Sequence, residues 1–217
     1  MLKTATPQLQ HWQGEFGKEY TDRNALTLDG MDELYRGNYG LTRTALNEEF
    51  LGDFDRSVKI LEVGSNIGNQ LLLLQKMGFE NLYGIEIGSY AVQCSKANTS
   101  GINIIQASAF DIPFKDGFFD LVFTSGVLIH ISPSDIQRAL SEIHRCTNKY
   151  IWGFEYYADA YTEVAYRQHD SLLWKTDFAK LYLDSFDGLD LVGEKRVKYL
   201  GDDNVDSMFL IKNTASE

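Results

Sequence analysis

The sequence predicts an α/β protein: a mainly parallel sheet that ends in an antiparallel hairpin, preceded by an N-terminal helical extension. Three observations carry this. From residue 58 onward short apolar runs alternate with helical patterns, the order expected of a parallel sheet covered by helices. Residues 59–74, KILEVGSNIGNQLLLL, read as a buried strand, a turn with Gly64 and Gly68, and a helix with four consecutive leucines. Residues 189–199 and 205–212 are strand-like runs joined by GDDN, a connection short enough only for an antiparallel pair.

The elements follow in order. Residues 1–55 form the extension: residues 8–24 carry Trp12, Phe16 and Tyr20 four apart, one aromatic stripe on a helix, and residues 32–39 and 42–54 add two shorter helical pieces. Residues 56–217 form the α/β domain. The first strand covers 60–63 and the second 81–86; Gly88 and Ser89 open a helix that Gly101 ends, and residues 102–106 make the third strand. FDLVFT at 119–124 is an apolar run that suits a strand buried on both faces. Ser132 to Asp135 supply an N-cap, a first-turn proline and a capping-box acid. They precede Ile136, Ala139, Leu140 and Ile143 at the spacing of one helix face. Residues 150–155 are the fifth strand, and Thr176 caps a helix with Phe178, Leu181 and Tyr182.

Composition narrows the function classes. With 217 residues, 44% apolar and 24% charged, the chain is long enough for a real core and too apolar to be disordered. The net charge of −11 disfavours a phosphate backbone, so no nucleic-acid partner is expected and a small molecule is favoured. No apolar run reaches the ~20 residues of a membrane span, and the first residues lack a signal-peptide core, so the expected location is cytoplasmic with no membrane partner. Two cysteines, Cys94 and Cys146, and four scattered histidines give no metal-ligand spacing, and no metal is expected.

The first turn narrows the ligand. A dinucleotide loop, G-x-G-x-x-G, sets three glycines against a pyrophosphate, but Asn66 and Asn69 stand where the second and third glycines belong. The pattern is instead E-x-G-x-x-x-G, from Glu62 to Gly68. A carboxylate there repels pyrophosphate and can pair with an ammonium, which favours S-adenosylmethionine (SAM) over NAD. Glu86 ends the second strand at about the 20-residue spacing from Gly64 at which an acid meets ribose hydroxyls.

Taken together, ILEVGSNIGNQ, NLYGIEI, ASAFDIPFKDGFFDLVFTSGVLIHISP and the final hairpin resemble class I SAM-dependent methyltransferases over residues 58–212. The resemblance implies a Rossmann-like sheet of seven strands, the last one antiparallel, with SAM over the strand ends. WQGEFGKEYTDRN, GNYGLTRTALNEEF, WGFEYYADAY and LLWKTDFAKLY are similar to the pseudaminic acid biosynthesis-associated methylases. That implies an acceptor of nonulosonic acid type or its nucleotide-activated precursor. The family places Glu62, Gly64, Asn66 and Gly68 around the methionine end, Glu86 on the ribose and Ile87 against the adenine. Many relatives have an aspartate where Ser108 stands, so adenine recognition is expected to rest on Ala109 and Phe110, or on Asp111. Ser125 and Gly126 should line the transfer side.

A hydroxyl acceptor must also lose a proton. His130, after the fourth strand, is the first candidate base; the alternative is a histidine satisfied by backbone at a helix entry. Glu155, Tyr156 and Tyr157 follow the fifth strand, either facing the acceptor or closing a polar strand end, and His169 and Trp174 lie in a stretch suited to an acceptor pocket. Tyr20, Arg23 and Arg43 are candidates to reach the cofactor carboxylate if the N-terminal helices form a lid; otherwise those helices only cover the sheet. The competing classes are an NAD-type oxidoreductase and a SAM-fold scaffold without turnover. A monomer or a homodimer fits equally.

Overall fold

A computed structural model describes residues 6–167 and 170–215. The chain forms two compact units, Met1–Pro113 and Phe114–Glu217. In the first, helices α1 (Pro7–Gln13), α2 (Glu15–Arg23), α3 (Leu28–Tyr39) and α4 (Arg43–Leu51) precede strand β1 (Lys59–Val63). Helix α5 (Asn69–Lys76), strand β2 (Asn81–Glu86), helix α6 (Ser89–Asn98) and strand β3 (Asn103–Gln106) follow. β1 and β2 pair in parallel with Glu62 opposite Gly84, and β2 and β3 pair in parallel with Glu86 opposite Gln106. Leu71, Leu73 and Leu74 of α5 are buried, as the apolar run requires.

The second unit holds β4 (Phe119–Ser125), a 3₁₀ turn (Leu128–His130), α7 (Ile136–Cys146), β5 (Thr147–Tyr156), the two-residue strands β6 (Thr162–Glu163) and β7 (Trp174–Lys175), α8 (Phe178–Ser185), β8 (Leu189–Lys198) and β9 (Val205–Asn213). β4 runs parallel to β5, and β9 lies antiparallel to both β5 and β8. Seven strands make one mixed sheet in the order β3-β2-β1-β4-β5-β9-β8, with β6 and β7 apart as a small antiparallel pair. The buried face of α7 is formed by Ile136, Ala139, Leu140 and Ile143 together with Cys146. Among the described residues no helix is long and apolar enough to cross a membrane.

Three local expectations need correction. Residues 8–24 are two helices and not one, because Gly14 adopts extended backbone between α1 and α2 and glycine is a poor helix former. Trp12 still meets Phe16 and Tyr20 edge-on at 5.2 and 5.1 Å, so the aromatic stripe survives as a cluster. The α7 cap is displaced: Ser132 Oγ donates to Asp135 and the Asp135 amide to the Ser132 carbonyl, forming a turn after which the helix starts at Ile136. The α8 cap is Asp177, whose carboxylate accepts from the Lys180 amide, one residue beyond Thr176.

Gly153 of β5 faces Phe209 of β9 in register, and a Cβ there would lie 2.1 Å from the Phe209 ring, which is buried. Gly153→Ala should therefore destabilise by about 1–3 kcal/mol through overpacking. A thermal melt checks this; an unchanged midpoint would mean that Phe209 has room to turn aside.

Candidate functional site

The strand-turn-helix after β1 is organised by two carboxylates, Glu62 buried and Glu86 half-buried. The Gly64 and Ser65 amides both donate to the Ile85 carbonyl at 2.8 and 3.0 Å, tying the turn to the end of β2. Asn66 (φ 46°) and Gly68 (φ 84°) then take left-handed backbone. Gly68 has a second reason to lack a side chain: a Cβ would meet Ile104 and Thr99 at 2.8 Å. Glu86 accepts from the Asn66 amide at 2.9 Å through Oε2 and from the Gly88 amide at 2.8 Å through Oε1. Burial raises its pKa, and the amides of Gly88, Asn66 and Ile87 oppose the rise. Each oxygen has two lone pairs, so the amides leave capacity for a further donor.

Glu62 is 2% exposed, and its Oε2 has no hydrogen-bond partner. Burial pushes its carboxyl up to about 8; the Arg43 guanidinium pulls it down and Glu86 pushes it further up. Arg43 is fully buried on α4, donating to Asn47 Oδ1 at 2.8 Å and to the Tyr35 hydroxyl at 3.1 Å. A buried cation beside a buried acid with an unused oxygen is the arrangement that an amino-acid zwitterion can complete.

The other expected cofactor residues fall as follows. Tyr20 packs on Trp12, and Arg23 pairs with Glu19 on the surface of α2 at 3.5 Å, so of the three lid candidates the structure brings Arg43 to Glu62. The Asn66 side chain lies 3.0 Å from the Thr21 hydroxyl of α2. Ile87 is half-buried, and its carbonyl accepts from Gln106 at 3.0 Å. The Ser108 hydroxyl accepts from the Phe110 amide at 3.1 Å, which commits it to the turn that carries the half-buried Ala109 and Phe110, while Asp111 is exposed. Sequence reasoning missed Thr21, Tyr35 and Asn47. Only Asn47 left a signal, four residues after Arg43 on one helix.

In the second unit, Ser125 ends β4 half-buried, and Gly126 (φ 66°) donates to the Phe154 carbonyl at 2.9 Å. Glu155 is 1% exposed, and its oxygens accept from the Val127 and Ile129 amides at 3.1 and 3.4 Å. Burial pushes its pKa up to about 7, against the hydrogen bonds of Val127, Thr124, Leu128 and Ile129. His130 Nδ1 lies 2.7 Å from the Leu172 carbonyl. The half-buried imidazole is pushed down to about 4 by desolvation, which outweighs the Leu172 carbonyl. Tyr156 meets the Tyr199 ring edge-on at 6.2 Å, and the Lys175 ammonium lies 5.3 Å from its ring. Arg196 sits 3.4 Å over the Tyr157 ring, and Trp174 is buried on β7. His169 lies outside the described residues.

Comparison with known proteins agrees with this architecture. Residues 61–150 match the family profile described as "Methyltransferase domain". The solved 1,6-didemethyltoxoflavin-N1-methyltransferase of Burkholderia thailandensis, with bound 1,6-didemethyltoxoflavin and S-adenosylhomocysteine, superposes with a TM-score of 0.71 at 14% identity, covering 99% of this chain and 93% of that one. The fold is a methyltransferase fold. An uncharacterized methyltransferase of Synechocystis sp. (strain ATCC 27184 / PCC 6803 / Kazusa) is 31% identical over 87 residues, 40% of this chain and 41% of that protein. The chain spans about two-fifths of the length of the curated relatives it matches. The methyltransferase fold is also that of the [4+2]-cyclase SpnF, at a TM-score of 0.64 and 15% identity, covering 85% of this chain and 81% of that one. Activity must therefore be argued from the residues.

Proposed function

We propose that this chain is a SAM-dependent methyltransferase acting on a small acceptor of sugar type, a nonulosonic acid or its nucleotide-activated precursor, in the cytoplasm as a monomer or homodimer. The observation that carries the cofactor reading is the unused Glu62 oxygen beside buried Arg43, next to the carboxylate of Glu86. The residues fit SAM: Glu62 takes the α-ammonium, Arg43 the α-carboxylate, and Glu86 a ribose hydroxyl with its remaining lone pair. A pyrophosphate at the same place would meet two acids, which disfavours the NAD reading. The acceptor class rests on the resemblance of the N-terminal and late segments to the sugar-pathway methylases.

When bound, the cofactor supplies a methyl group on a sulfonium. The chain's part is to hold the methionine and ribose ends, with Gly64, Asn66 and Gly68 shaping the turn and Ile87, Ala109 and Phe110 the adenine side. His130 takes the acceptor proton. Its Nδ1–H donates to the Leu172 carbonyl, which sets the tautomer with the proton on Nδ1, and its low pKa keeps it neutral near pH 7. Ser125 and Tyr156 border the acceptor. Orientation of this kind contributes up to roughly 7–11 kcal/mol of rate acceleration.

Calorimetry with SAM and NAD tests the cofactor, and release of S-adenosylhomocysteine on incubation with a sugar and sugar-nucleotide panel tests turnover. SAM binding without any release would favour a scaffold. Glu86→Ala removes a charged hydrogen bond and strands two backbone amides. SAM affinity should fall tenfold to a hundredfold, taking about 1.5–3 kcal/mol for bonds to a charged group. A change below twofold would remove Glu86 from the site.

A further inference from the structure

We propose that Asn47 is a second donor to the α-carboxylate of the cofactor, so that α4 grips the amino-acid end of SAM with an amide as well as a guanidinium. The inference rests on the assignment of Glu62 and Arg43 to that end.

The inward face of α4 is Arg43, Leu46, Asn47 and Leu51, all buried. A helix face turned to a core is ordinarily apolar, and Asn47 interrupts it with no exposed surface at all (0%). Its amide orientation follows from Arg43. The Nε–H of a guanidinium can only donate, so at 2.8 Å it is met by Oδ1, which turns the NH2 group elsewhere. Nδ2 is buried there without a hydrogen-bond partner. Fixing Arg43 uses Oδ1 alone, so the unpaired NH2 is the part of Asn47 that the fold does not explain, and a buried donor without an acceptor is destabilising.

The other unpaired atom beside Arg43 has the opposite character: Glu62 Oε2 is an acceptor without a donor, and its carboxyl feels the Arg43 charge. Next to one guanidinium the chain thus leaves a donor and an acceptor unsatisfied. An α-amino acid zwitterion matches both, because its ammonium only donates and its carboxylate only accepts. Glu62 takes the ammonium, and the carboxylate falls to Arg43 and the Asn47 NH2. A phosphate, which offers acceptors alone, would satisfy Asn47 and leave Glu62 facing a like charge.

Calorimetry of the full chain with S-adenosylhomocysteine and with 5′-methylthioadenosine, which keeps the adenosine and the thioether but lacks the amino-acid end, tests this. Asn47→Asp keeps an oxygen for Arg43 Nε and puts an anion where the NH2 stood. S-adenosylhomocysteine should then bind about tenfold to a hundredfold more weakly, the range of one hydrogen bond to a charged group, while 5′-methylthioadenosine should change less than about twofold. Equal losses for the two ligands would overturn the proposal, since the damage would lie outside the amino-acid end. A loss for S-adenosylhomocysteine alone also follows if the new carboxylate merely neutralises Arg43, so side-chain amide NMR decides between the two. The Asn47 NH2 signals, assigned by their absence in Asn47→Asp, should move downfield with S-adenosylhomocysteine and stay in place with 5′-methylthioadenosine. Signals that stay in place with both ligands would make Asn47 a support for Arg43 only and overturn the proposal, with the cofactor assignment intact. If Asn47→Asp does not fold, sequential assignment of the unsubstituted protein gives the same NH2 reading. Failure of S-adenosylhomocysteine to bind the unsubstituted protein would instead overturn the cofactor assignment, and the proposal with it.

Discussion

SAM affinity rises about tenfold for each pH unit between 6 and about 7.5, and close to one proton is released per cofactor bound at pH 7. This is expected because burial holds the Glu62 carboxyl at about 8, while pairing with the α-ammonium requires it ionised; one pKa unit corresponds to about 1.4 kcal/mol. Above about pH 8 the gain ends, since Glu62 is then charged and an α-amino group begins to lose its own proton. Stability of the free protein runs the other way. A carboxyl whose folded pKa lies above its unfolded value stabilises fully below the unfolded value of 4.5. That contribution is lost as pH rises through about 8. Glu62→Gln needs no proton. It should bind SAM at least tenfold more weakly at pH 8, with no pH slope, yet melt higher than the unsubstituted protein at that pH when free. Calorimetry in buffers of different ionisation enthalpy measures the proton count. A pH-independent affinity with no proton released would show that Glu62 does not meet the ammonium.

How much of this is legible in the sequence depends on how far apart the interacting residues lie. E-x-G-x-x-x-G is local, so the acid and the turn can be read directly, and Glu86 follows from the regular length of a strand-helix-strand unit. Arg43 cannot be separated from Arg23 by pattern, because what distinguishes them is burial against Glu62, a tertiary event. The same holds for Glu155: its place after the fifth strand is readable, but the amides it accepts belong to a turn 26–28 residues earlier. Helix caps fail for a different reason. Thr176 and Asp177 are adjacent residues of similar capping chemistry, and Ser132 satisfies Asp135 before the helix begins, so one-residue choices are made by local geometry that the pattern does not contain. β6 and β7, two residues each, are too short to leave any alternation.

A chain beginning at Leu26, without α1 and α2, should fold and lose at least tenfold in SAM affinity, about 1.4 kcal/mol. It retains Thr27, whose hydroxyl caps α3, and the Leu26 carbonyl that accepts from Asn69 at 2.9 Å. Among the contacts it removes are three that α2 makes with the rest of the unit. Thr21, the buried residue of α2, reaches the Asn66 side chain at 3.0 Å; Asp22 accepts from the Tyr90 hydroxyl at 2.7 Å; and Lys18 lies 5.6 Å from the Tyr90 ring. With Thr21 its one buried residue and Phe16 and Tyr20 half-buried, α2 is marginally held, and a marginally held helix can open to exchange a ligand. Its grip falls on Asn66, whose amide is simultaneously fixed by Glu86, so α2 and Glu86 restrain the same left-handed residue from two sides. Thr21→Val keeps the shape and removes the hydroxyl. It should weaken SAM binding by about threefold to tenfold, the range of one net hydrogen bond. Hydrogen exchange across residues 15–23 should slow when S-adenosylhomocysteine is added. If the shortened chain binds SAM as tightly as the full one, α1 and α2 are packing elements and the lid reading fails.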